Sequence, residues 1–149
     1  MSPTSSHALA CRLLAGLSPG GSTPLSAGLA LGHRVLKREL SRNPAPSAFL
    51  VLISDGGGNV TLGYANPMSE ALAIAEAIRE QGINSIVFDC APRSGAALAG
   101  RPTAAKKISD ALGAAYYPVT NITVGKIVET VTRTACGGVS SRAVLAASS

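Results

Sequence analysis

The sequence predicts an α/β fold, a partial doubly wound parallel sheet of Rossmann-like type with flanking helices. Three observations predict it. Apolar runs rich in β-branched residues occur at 48–54, 85–90 and 115–119. The first two do not alternate polar with apolar side chains, which is the pattern of strands covered on both faces in a parallel sheet. Helical patterns separate the runs, so strand, helix and strand recur as βαβ units that should cross over right-handed.

Taken in order, "TPLSAGLALGHRVLKREL" reads as a helix beginning near Thr23, with Pro24 at its first position. Leu25, Leu29, Gly32 and Leu36 share one side at helical spacing and form its buried stripe. Arg34, Lys37, Arg38 and Arg42 gather on another face, whose plain account is a solvated helix surface and whose alternative is a binding patch. "SRNPAPS" is a loop into the first strand, "FLVLIS". In "NPMSEALAIAEAIREQG", Asn66 can cap a helix, Pro67 suits its first position, Glu70 complements the dipole, and Gly82 ends it. Ala71, Leu72, Ala75 and Ile78 lie along the inward side. "TAAKKISDALG" reads as a second crossover helix closed by Gly113 and leading to "AAYYPV", where Pro118 belongs at a strand end. Residues 1–136 are expected to form one domain, and "GGVSSRAVLAASS", 137–149, a flexible tail.

A chain of 149 residues that is 46% hydrophobic can bury a sizeable core, built from aliphatic residues because aromatics make up only 3%. The net charge of +5 suggests an acidic partner surface at most. With base-stacking aromatics this scarce, a nucleic-acid partner is not expected. No apolar run approaches the roughly 18 residues that span a bilayer, so no membrane partner is expected either. Cys11, Cys90 and Cys136 are odd in number, far apart and without metal-ligand spacing. Reduced thiols in a cytoplasmic protein are the expectation. The start lacks a basic region of secretory type; acidic residues are absent before Glu39, a feature that an organelle transit peptide would share.

Asp55 ends the first apolar run and is followed by Gly56, Gly57 and Gly58. In open parallel sheets ligands sit beyond the carboxyl ends of the strands. A carboxylate there is not core filling, because burying it unpaired is costly. The glycines let the backbone turn away without crowding it. Asp55 is therefore either an oxygen ligand at the sheet's rim or a turn residue accepting backbone N–H bonds. Thr23, at the mouth of a helix, is either an N-cap or a second oxygen at that rim. Neither "DGGGN" nor "LSPGGST" has the spacing of a dinucleotide fingerprint or the Lys of a P-loop. His33 lies within the basic helix and His7 near the terminus, and neither forms a credible acid–base pair.

Together, "GGSTPLSAGL", "LVLISDGGGNV" and "ALAIAEAIREQGINSIVFD" resemble a von Willebrand factor A (VWA) domain, and more narrowly the C-terminal domain of the magnesium chelatase D subunit. The resemblance runs from about Ser6 to Val128, and it implies that "SSHALACRLLAGL" is the helix before the Thr loop. It also implies a metal-ion-dependent adhesion site (MIDAS) whose ligands are an Asp-x-Ser-x-Ser motif, a Thr and an Asp. Thr23 and Asp55 match the last two, with Ser22 as a supporting hydroxyl, and Mg²⁺ is the implied metal. No Asp-x-Ser-x-Ser occurs in the 149 residues, so the expected site is incomplete and the domain lacks its N-terminal strand. Gly57 stands where the relatives often carry Arg, and Ala91 where an acidic residue is common. The absent strand would leave the first strand as a bare apolar edge open to self-association.

The implied function is a metal-dependent protein-interaction module in a complex that inserts Mg²⁺ into a tetrapyrrole. The implied partners are an AAA+ ATPase ring subunit and a porphyrin-binding subunit. The chain itself is at most a non-catalytic subunit of such a chelatase, with no active site of its own. The alternatives are a generic or degenerate VWA scaffold without metal, and a small α/β enzyme using Asp55 in acid–base work.

Overall fold

The computed structural model describes residues 6–16, 24–42, 48–55, 66–90, 102–119 and 123–136. Five helices and three strands are described among them: α1 (His7–Ala15), α2 (Leu25–Arg42), β1 (Phe49–Ser54), α3 (Pro67–Glu80), β2 (Asn84–Asp89), α4 (Ala104–Leu112), β3 (Ala115–Pro118) and α5 (Val124–Cys136). The strands form one parallel sheet in the order β1-β2-β3. The α/β class and the parallel sheet are as the sequence predicts.

The punctuation of the chain works as its chemistry suggests. The Asn66 side chain accepts a bond from the Met68 N–H at 2.9 Å, and Pro67 opens α3 where no N–H is needed. Thr103 caps α4 by accepting from the Lys106 N–H at 3.1 Å. Gly113 closes that helix in the left-handed region, at φ 61°, where a side chain would be strained. Gly82 does the same after α3, at φ 69°.

In a strand, alternate residues face opposite sides. Leu50, Leu52, Val87 and Tyr116 share the side on which α2, α3 and α4 pack in a single layer. Leu25 and Leu29 of α2, Ala71, Ala75 and Ile78 of α3, and Ala105, Ile108 and Leu112 of α4 form the core with Val87. Each fully buried Ile, such as Ile78 or Ile108, contributes about 1.5–3 kcal/mol. Gly32 places α2 directly over β1: a Cβ there would stand 3.5 Å from Leu50 Cδ1, an ordinary contact distance. The helix layer thus fixes the height of β1 and of whatever follows Ser54.

The opposite side of the sheet is uneven. Ile86 and Phe88 in the central strand are buried, and Phe88 stacks on Tyr117 with ring centroids 5.6 Å apart. Their register partners in β1, Val51 and Ile53, are 37% and 55% exposed. Among the described residues β1 is an edge strand with no charged residue and no proline in it.

Candidate functional site

The carboxyl ends of β1 and β2 build the site. The register ends on Ser54 opposite Asp89, and the Cys90 N–H donates to the Ser54 carbonyl at 2.7 Å. Asp55 and Cys90 therefore emerge from adjacent strands one step beyond the last registered pair. Asp55 is exposed, which places its carboxylate at the rim rather than in the core.

Asp89 is the opposite case. It is buried, at 4% exposure, and its charge is met by two hydroxyls. Thr103 Oγ1 and Tyr116 OH each donate to Oδ2 at 2.6 Å. Bonds this short suit an ionised acceptor. The Thr103 hydroxyl acts twice, donating to Asp89 while accepting the Lys106 N–H, so α4 is capped and anchored to β2 by one atom. Tyr116 also lies under the Lys106 ammonium, 5.5 Å from its ring centroid, and Lys106 pairs with Asp110 one helical turn on. Asp89 thus holds three elements, β2, β3 and α4, in register at the rim.

The two carboxylates act on their neighbour. Burial pushes the Cys90 thiol above its ordinary value of 9.0, and the charges of Asp89 and then Asp55 push it further. Cys90 is accordingly held as a thiol, not a nucleophilic thiolate. The same charges make the rim favourable to a cation. The described residues do not by themselves suit Mg²⁺, which takes about six oxygen ligands. Asp89 is engaged by two hydroxyls, and Cys90 offers sulfur, which hard cations disfavour. Among the described residues no three His, Cys, Asp or Glu side chains are grouped to hold a metal ion.

Of the sequence-derived site residues, Asp55 lies at the predicted strand end. Thr23 and Ser22 lie outside the described residues, as do Gly56, Gly57, Gly58, Ala91 and the tail 137–149. His33 is less superficial than the basic helix suggests: it is half-buried, and its Nε2 is buried without a hydrogen-bond partner among the described residues. His7 is exposed, its ring Nε2 3.6 Å from Cys11 Sγ one turn along α1. Asp89 is the functional candidate that sequence reasoning passed over. Its signal was present, a carboxylate ending an apolar strand as Asp55 does.

With this geometry in place, comparison with known proteins is informative. The chain is 32% identical over 126 residues to the uncharacterized protein MJ0910 of Methanocaldococcus jannaschii, covering 85% of this chain and 70% of that one. It is 36% identical over 129 residues to the magnesium-chelatase 60 kDa subunit of Cereibacter sphaeroides, and 34% over 131 residues to that of Rhodobacter capsulatus. Those matches cover 76% and 77% of this chain but 23% of each subunit, so the chain spans about a quarter of their length. No family model and no solved structure matches. The chain belongs to one family with the Methanocaldococcus jannaschii protein, and a segment of the magnesium-chelatase subunits is homologous to it.

Proposed function

We propose that the chain is a VWA-type protein-interaction module of a magnesium chelatase-like complex, with Asp55 and Thr23 contributing oxygens to a Mg²⁺ site that other groups complete. The supporting observation is the similarity to chelatase subunits over three quarters of the chain, at 36% and 34% identity. The exposed Asp55 carboxylate at the strand end suits the reading, because ligands of open parallel sheets sit beyond the carboxyl ends of the strands. Ser22 supports the site with a further hydroxyl. The partners are the ATPase ring subunit and the porphyrin-binding subunit, and Mg²⁺ bound for the tetrapyrrole is the substrate of the whole assembly. This chain orients and docks; the insertion chemistry belongs to other polypeptides.

Titration calorimetry with Mg²⁺ and Mn²⁺ tests the metal. Weak binding is expected for the wild type, with few protein ligands, and none for Asp55→Ala. Equal heats from both proteins would remove the metal and leave a scaffold. Capture of an ATPase ring subunit by the wild-type chain tests the complex separately.

A further inference from the structure

We propose that the solvent face of α2 is a docking surface for an acidic polypeptide segment. Arg34, Lys37, Arg38 and Arg42 are all exposed, and their spacing sets them in one row along the helix. The opposite face carries Leu25 and Leu29 in the core, with Leu36 and Leu40 packed against it. That packing holds the row in place, so a partner need not organise it on binding.

Among the described residues the row is offset only at its carboxyl end. There Glu39 pairs with Arg42 at 3.8 Å, with the Arg42 side chain exposed and that of Glu39 partly so. Arg34, Lys37 and Arg38 make no ion pair among the described residues. Arg34 with Arg38, and Arg38 with Arg42, are like charges four residues apart, an arrangement that disfavours a helix. The helix dipole rewards cations only in the last turn, which accounts for Arg42 and not for Arg34 or Lys37. A row that weakens its own helix and has an internal partner only at Arg42 is explained by an external one.

Its dimensions narrow the partner. Arg34 to Arg42 spans roughly 12 Å along the axis, about two turns. That matches carboxylates repeated every turn on an acidic helix, or a short extended acidic stretch. Leu31, 49% exposed at the amino end of the row, adds one apolar contact. α2 carries no Phe, Tyr or Trp to stack a base and its one imidazole, His33, is half-buried; Leu31 alone is too little apolar surface to anchor the helix in a lipid interface.

The test is fluorescence anisotropy on the full chain with a labelled synthetic peptide bearing glutamates at i, i+4 and i+8 and a leucine at one end. The wild type should bind it at low salt and progressively less as salt rises. Arg34→Gln/Lys37→Gln/Arg38→Gln should weaken binding about tenfold or more, since three ion pairs are lost together. The charge-keeping variant Arg34→Lys/Lys37→Arg/Arg38→Lys and the remote variant Lys107→Gln should bind as the wild type does, with circular dichroism confirming that each is folded. Unchanged affinity in the triple glutamine variant would overturn the proposal. So would tighter binding to a single-stranded oligothymidine, or to phosphatidylserine-containing vesicles, than to the peptide.

Discussion

Asp89 and Asp55 lie on neighbouring strands and illustrate two fates of a carboxylate. Asp89 is buried and met by Thr103 and Tyr116, so its charge organises structure; Asp55 is exposed and shapes the field outside. Cys90 reports on both. Because its folded-state pKa is raised, its contribution to stability is intact below about pH 9 and is lost as pH rises through the folded value. In a background with Cys11→Ser and Cys136→Ser, iodoacetamide should modify Cys90 more slowly in the folded chain than in urea at mildly alkaline pH. Asp55→Asn removes one of the opposing charges, so the thiol should ionise at lower pH and react faster. A rate indifferent to Asp55 would mean that burial and Asp89 set the thiol. The position of Asp55 at a strand end was legible from "ISDGGG". The partners of Asp89 were not legible, because they lie 14 and 27 residues away and meet it only through the parallel register and the cap of α4.

Helices α3 and α4 were legible because local chemistry and buried pattern agree. Asn66 and Pro67 start one, Thr103 starts the other, and glycines in the left-handed region end both. α5 was not legible. "VGKIVETVTRTAC" is rich in β-branched residues, which lose rotamer freedom in a helix and read equally as strand. Val124, Ile127, Val128 and Val131 do recur at helical spacing, a signal that the β-branched composition masked. Thr103 offers a test at this scale. Thr103→Val should lower stability by about 2–3 kcal/mol, combining a lost cap with a lost hydrogen bond to a buried charge. Thr103→Ser should recover most of it. Urea unfolding measures both, and a loss below about 0.5 kcal/mol in the valine variant would show that Asp89 is satisfied without it.

Across the molecule, α2, α3 and α4 cover one side of the sheet, while Val51 and Ile53 leave the edge strand apolar and exposed on the other. Unpaired apolar edges recruit other strands. The wild-type chain is therefore expected to self-associate in concentrated solution, and Val51→Lys, which changes an already exposed position, should reduce this. Light scattering across a concentration series measures it; a monomer for both proteins would show that β1 is protected. Among the described residues no helix is long and apolar enough to cross a membrane.

The strand order β1-β2-β3 has a further consequence. The chain advances across the sheet in one direction, with both crossover helices on one side. Clefts in open α/β sheets open where successive connections diverge to opposite sides, and these three strands contain no such divergence. A strand added next to β1 and connected across the other side would create such a divergence, and with it a cleft, beside Asp55. Whatever supplies that strand would supply half the walls of the cleft as well.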